Sequence, residues 1–183
     1  MNERLTIRAL EKERICCFAA ELIQDGDCIY LDGGSTVFYL LSYLHNKKIK
    51  IVTNNQLIIS KIDEDFLPEV IFIGGQYLSK YNMTVGAKSL EELVKYNFDH
   101  AFIGCTGFSF VNDCIYTAEI DTLAIKEVVI QKSLHTHLLA DASKYNMRGF
   151  CSMSNIQQFD TIITNHNEVY KGEELPDNIK LIT

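Results

Sequence analysis

Cys28-Ile29-Tyr30-Leu31-Asp32-Gly33-Gly34-Ser35-Thr36 is the stretch whose reading decides the fold. Its first four residues form a short apolar run between two turn signals, Asp25-Gly26-Asp27 and Asp32-Gly33-Gly34. Such a run reads as a buried strand. Gly33 and Gly34 let the backbone approach a ligand with no Cβ in the way. Ser35 and Thr36 supply hydroxyl donors and an N-cap for a helix over residues 37–44. Amides at the start of a helix, together with its dipole, favour an anion. Two readings stay open here: a phosphate cradle made by Asp32, Gly33, Gly34, Ser35 and Thr36, or an ordinary capped turn.

The same grammar repeats on both sides. Upstream, Ile15, Phe18, Ala19, Leu22 and Ile23 fall at helical spacing, which predicts a helix over residues 9–24 that stops at Gly26. Downstream, strands are expected over 49–52, 70–73, 100–103 and 137–140, with 161–164 as the last. Helices are expected from 54 to 61, 86 to 95 and 119 to 132, with an excursion or hairpin over 76–84. Strands alternating with helices predict an α/β fold of three layers, a mainly parallel sheet with helices on both faces. The strands end in Asp-Gly-Gly-Ser-Thr, Thr-Asn-Asn, Gly74-Gly75, Gly104-Cys105-Thr106-Gly107 and Asp-Ala-Ser-Lys. Ligands collect at the carboxyl ends of strands in open α/β sheets, so these turns are expected to meet on one rim. One domain is expected over 1–183, with its core at about 10–166.

Composition narrows the function. Hydrophobic residues make up 47% of the 183, enough for a core, and the net charge is -7. A nucleic-acid grip needs a basic face. Here Arg4, Arg8, Lys12 and Arg14 alternate with Glu3, Glu11 and Glu13, and Lys47, Lys48 and Lys50 read as a solvated loop. None of the six cysteines forms a C-x-x-C pair, so no structural zinc is expected and buried, reduced thiols are. Met1-Asn2-Glu3-Arg4 starts no apolar signal core, and no apolar stretch reaches the roughly 18 residues of a membrane span. A cytoplasmic protein is expected. His135 and His137 share one face of a strand, where partly buried histidines are favoured over a metal pair. No cofactor and no metal are expected.

Lys144, in Asp141-Ala142-Ser143-Lys144, follows a buried strand and can bring a full positive charge to the rim; the alternative is a surface lysine on a turn. Of Asn54 and Asn55, one can bind a sugar hydroxyl and the other cap a helix. At this point the chain resembles the C-terminal sensor domain of DeoR-type transcriptional repressors. The matching stretches run in family order: Glu11-Lys12-Glu13-Arg14-Ile15, Asp25-Gly26-Asp27, Leu31 to Thr36, Val52-Thr53-Asn54-Asn55, Ile73-Gly74-Gly75, Val85-Gly86, Phe98 to Gly104, Thr106-Gly107 and Asp141 to Tyr145. The resemblance implies the fold shared by ribose-5-phosphate isomerase, glucosamine-6-phosphate deaminase and the CoA-transferases. It implies a phosphorylated sugar or related phosphometabolite as effector. The phosphate would lie on Gly34, Ser35 and Thr36 with Lys144 nearby, beside Asn54, the loop from Gly104 to Gly107, and a helix from Glu119 to Lys126 facing the same pocket. It also implies self-association as a dimer or tetramer. Operator DNA would be contacted only through an N-terminal helix-turn-helix domain, for which the residues ahead of the first sensor helix are too few.

An isomerase of this fold needs a base within hydrogen-bond reach of the proton it moves. Those enzymes carry an acidic run after the fourth strand. Here the matching place, Ile103 to Phe108, has no carboxylate. Glu119 and Asp121 are the remaining acidic candidates, and acidic residues in a first helical turn also simply complement the dipole. Glu119 can instead accept bonds from sugar hydroxyls. Cys105 lacks a neighbouring base, so a packed thiol is favoured over a nucleophile. The sequence therefore predicts a sensor with no catalytic residues; the alternatives are a sugar-phosphate isomerase or deaminase of the same fold and a stand-alone interaction module.

Overall fold

The computed structural model describes residues 5–183; Met1 to Arg4, on which part of the charge and signal-peptide reading rests, lie outside the described residues. In chain order the elements begin with α1 (Ala9–Glu21), β1 (Cys28–Leu31), α2 (Ser35–Phe38), β2 (Lys50–Thr53), α3 (Gln56–Ile59) and β3 (Glu69–Phe72). They continue with β4 (Gln76–Leu78), β5 (Met83–Val85), α4 (Ala87–Leu93), β6 (Phe98–Ile103), β7 (Gly107–Ser109) and β8 (Cys114–Thr117). The last are α5 (Ile120–Gln131), β9 (Ser133–Leu139), β10 (Cys151–Ser154), β11 (Thr161–Asn165) and β12 (Ile179–Ile182).

Seven strands form one sheet in the order β12-β11-β9-β6-β1-β2-β3, and every pairing is parallel. β1 lies inside it, with Tyr30 opposite Val52 on one side and Ala101 on the other. Successive side chains of a strand face opposite ways. Ile29 and Leu31 accordingly join the core under α1 with Ile15, Ala19 and Leu40, whereas Tyr30 joins the opposite core with Ile125, Val129 and Phe98. α5 packs with α4 over that second face. A sheet covered on both faces needs near-continuous apolar strands, and β1 shows it: Ile29, Tyr30 and Leu31 are all fully buried.

Several expectations need correction. The helix expected over 37–44 is one α turn, α2, continued as a 3-10 helix over Tyr39–Tyr43, with Leu44 N–H bonding to Leu41 O. The last strand is β12, not 161–164; Ile179 pairs with Ile162 and carries the sheet beyond residue 166. A second, antiparallel sheet of order β10-β8-β7 follows β6, over residues for which the sequence predicts no strand. The excursion or hairpin expected over 76–84 is a hairpin, the antiparallel pair β4–β5, as one of the two readings had it. The cysteines are free, but only Cys16 and Cys151 are buried, and Cys17 on α1 is exposed. Among the described residues no helix is long and apolar enough to cross a membrane.

Candidate functional site

A cleft opens at the carboxyl ends of β1 and β6, with about 600 Å³ of empty space, its mouth included. One wall is the turn from Asp32 to Thr36, and the floor is Gly104, Cys105 and Thr106. Lys126 and Thr122 project from α5, Thr117 and Ala118 come from the end of β8, and Lys144 from the 3-10 turn after β9. Tyr81 and Met83, from the β4–β5 hairpin, complete the lining. The parallel order explains the gathering: β1 and β6 are neighbours, so their following loops leave the sheet side by side.

Asp32 organises the floor. It is 2% exposed, and its Oδ2 accepts from Gly104 N at 3.0 Å and from Lys126 Nζ. Lys126, 5% exposed, also donates to Gly104 O at 2.9 Å. Asp32, Gly104 and Lys126 thus close a ring that ties β1, β6 and α5 together, and a buried carboxylate is tolerated because a cation and an amide share it. Lys144 differs. Asp141 caps its turn by accepting from Ser143 N at 3.1 Å, and Lys144 has no ion-pair partner among the described residues. Two lysines against one aspartate leave one positive charge on a lining within a chain of net charge -7. Cys105 is partly exposed as a residue, but desolvation of its thiol group raises the pKa to about 12, against the pull of Lys126 and Lys144, so it stays neutral at ordinary pH.

The sequence-derived residues separate into two groups. Asp32, Gly33, Gly34, Ser35, Thr36, Gly104, Thr106, Lys126 and Lys144 all border the cleft. Asn54 does not: it is fully buried, its Oδ1 accepting from Tyr30 Oη at 2.9 Å and its Nδ2 donating to Thr84 O at 2.7 Å. Both its polar ends are consumed in fixing the end of β2 to β1 on one side and to the hairpin on the other. Asn55 is the cap, accepting from Leu57 N at 3.0 Å. Gly74 and Gly75 lie in a separate groove against α4, where Ser89 Oγ donates to Gly74 O at 2.7 Å. Gly107 is buried in β7, and a Cβ there would stand 1.9 Å from Met147 O. Glu119 sits at the rim outside the lining, its Oε1 accepting from Lys80 Nζ and Tyr81 Oη, each at 3.3 Å. Tyr81, Met83, Thr117 and Ala118 escaped the sequence reading, because the hairpin and the second sheet that present them carry no motif; Thr122 lies on the helix expected to face the pocket but was not singled out.

The short α2 alters the electrostatics of the turn. A single α turn aligns few peptide dipoles. Positive potential at this wall therefore comes chiefly from the lysines. Elsewhere, His135 and His137 do share a face, but His137 is 4% exposed and pairs through Nε2 with His100 Nδ1 at 2.9 Å. Burial first, then His100, lowers the His137 pKa to about 4.

The model of the DeoR C terminal sensor domain matches residues 7–166. A relative in Bacillus subtilis, the HTH-type transcriptional regulator FruR, is 30% identical over 92% of this chain and 67% of its own length. The HTH-type transcriptional repressor GlcR of the same organism is 29% identical, over 88% of this chain and 62% of its own. The glycerol-3-phosphate regulon repressor of Escherichia coli is 26% identical, over 89% and 65%. The chain thus spans about two thirds of the length of these relatives. Among solved structures, ribose 5-phosphate isomerase from Plasmodium falciparum superposes with a TM-score of 0.52 at 19% identity, covering 78% of this chain and 55% of that one. The delta subunit of eIF2B from Chaetomium thermophilum gives 0.63 at 16% identity, covering 88% and 57%. At these identities the likeness concerns the fold alone.

Proposed function

The chain belongs to the family of DeoR C-terminal sensor domains, and from that premise we propose that its cleft senses a phosphorylated sugar or related phosphometabolite for a transcriptional repressor of carbohydrate metabolism. The observation that carries this reading is that Lys144, which has no ion-pair partner among the described residues, borders the same cleft as Ser35 and Thr36, in a lining of net positive charge. A phosphate needs that combination of a cation and neutral donors. The neutralised Lys126 holds the floor in shape and leaves Lys144 to meet the ligand. Among relatives, the name of the glycerol-3-phosphate regulon repressor contains a phosphometabolite, and the lactose phosphotransferase system repressors are named for a sugar system.

Sensing is favoured over turnover because the one carboxylate in the lining, Asp32, is already bound by Lys126 and Gly104 N–H. An isomerase base has to be free to take a proton. The mechanism is population shift: the ligand binds one arrangement of the rim loops better and so biases attached DNA-binding domains. In this reading the protein is cytoplasmic, operator DNA is contacted through an N-terminal region of the HTH-type relatives' kind, and the domain acts as a dimer or tetramer.

The test is a thermal-shift screen of hexose and pentose phosphates beside their unphosphorylated parents, with Ser35→Ala and Lys144→Ala. A ligand bound only by the folded state raises Tm by mass action. Phosphosugars alone should shift the wild type, and both variants should lose most of the shift. Equal response to parent sugars, or unaltered variants, refutes the site.

A further inference from the structure

Arg8, Lys12 and Cys16 stand one helical turn apart, at the N-cap and along one face of α1. Lys12 and Cys16 reach residues of the cleft wall, and Arg8 reaches the cap of a turn that supplies one. Arg8 Nε lies 3.8 Å from Asp141 Oδ1, and Asp141 caps the turn that carries Lys144. Lys12 Nζ donates to Ser35 Oγ at 3.5 Å. Cys16 Sγ donates to Thr36 O at 3.1 Å. Burial pushes the Cys16 thiol up, so it keeps its proton and remains the donor.

The direction of the Lys12 bond matters most. An ammonium only donates, whereas a hydroxyl has one proton and two lone pairs. When Lys12 occupies a lone pair of Ser35, the hydroxyl proton must go to an acceptor elsewhere, and Ser35 borders the cleft. Lys12 is 3% exposed, so water screens its charge weakly. We propose that Lys12 is a positioning residue for the ligand: it holds Ser35 as a donor aimed at an oxyanion and carries occupancy of the cleft into α1. The chemical class selected is an acceptor-rich anion such as a phosphate monoester over a neutral sugar. This rests on the phosphate-binding reading above. It adds that anion selectivity is set partly from outside the cleft, by a helix the ligand does not touch.

The experiment titrates calorimetrically the sugar phosphate giving the largest thermal shift, with inorganic phosphate alongside. The proteins are wild type, Lys12→Met, Lys12→Arg, Ser35→Ala, the Lys12→Met/Ser35→Ala double variant and Lys144→Ala. Loss of a charge-assisted hydrogen bond predicts affinity about tenfold weaker in Lys12→Met, with much of it restored in Lys12→Arg. Once Ser35 is alanine, Lys12→Met should add little, because its effect passes through that hydroxyl. Equal binding by Lys12→Met and wild type overturns the proposal, as does the same loss with and without the Ser35 hydroxyl. If Lys144→Ala alone abolishes binding, the phosphate reading stands and the role of Lys12 falls; if no phosphate binds the wild type, both fall. Hydrogen exchange on the wild type needs no variant: ligand should slow exchange of the α1 amides around Lys12 to Cys16, and unchanged exchange there overturns the coupling.

Discussion

Replacing Lys126 with Met should destabilise the fold far more than any loss of ligand contact explains. The side chain is 5% exposed and neutralises Asp32, itself 2% exposed, while also bonding Gly104 O. Met fills nearly the same volume, so the cavity cost is small. What remains is a buried carboxylate supported by a single amide, Gly104 N–H. Breaking a buried pair from one side costs about 3–5 kcal/mol. In a domain of this size that corresponds to a fall in Tm of roughly 6–20 °C. Adding Asp32→Asn removes the orphaned charge while keeping an acceptor for Gly104 N–H. The double variant should therefore recover at least about half of the loss, a coupling of roughly 1.5 kcal/mol or more. Urea denaturation at neutral pH measures all three proteins, with constant m-values as the check on two-state behaviour. The reasoning is refuted if Lys126→Met lies within about 1 kcal/mol of wild type, or if Asp32→Asn adds to the loss instead of offsetting it.

Other perturbations probe other parts of the molecule. Because the folded pKa of His137 is lowered from 6.5 to about 4, the unfolded chain binds the proton first. Stability should fall as pH drops from about 6.5 towards 4, by up to roughly 3 kcal/mol; urea midpoints across that window should show this slope flattened in His137→Phe. Gly107→Ala puts a Cβ 1.9 Å from Met147 O, which is backbone, whereas Gly33→Ala meets the flexible end of Met83 at 2.1 Å. Gly107→Ala should therefore cost several kcal/mol and Gly33→Ala about 1–3 kcal/mol, and equal Tm values for the two would contradict the packing described. Iodoacetamide at mildly alkaline pH should label exposed Cys17 first and leave Cys105, whose thiol is raised to about 12, among the last, as read by peptide mass spectrometry.

The parallel sheet was legible in the sequence because six of its seven strands contain short apolar runs followed by turn or polar residues. Six predicted segments, counting the one at 28–31, correspond to β1, β2, β3, β6, β9 and β11. β12 was missed for a physical reason. It is an edge strand, paired on one side only, and its Ile-Lys-Leu-Ile is half-buried. No core demands an unbroken apolar run there. The β7–β8 pair was missed because a buried antiparallel sheet of such short strands contains Gly107, Ser109 and Thr117, residues that also make turns.

The limits of legibility at the cleft follow from what a hydrogen-bonding side chain leaves visible. Asn54 and Lys144 look alike in sequence: each is a polar residue just past a buried strand. Their fates differ through partners far along the chain. Tyr30 and Thr84 take both ends of the Asn54 amide, whereas the turn at Ala142–Lys144 is satisfied by its own cap, Asp141, and leaves the lysine unspent. Lys126 illustrates the converse. Its family position implied a pocket-facing residue, and it does border the cleft, yet its charge is consumed by Asp32. A rim residue's proximity to the ligand can thus be inferred from strand ends, but its availability to the ligand depends on long-range pairing. That distinction makes Lys144 and Ser35, rather than Lys126 and Asp32, the substitutions that should change affinity at nearly constant stability, while the ring of Asp32, Gly104 and Lys126 should change stability first.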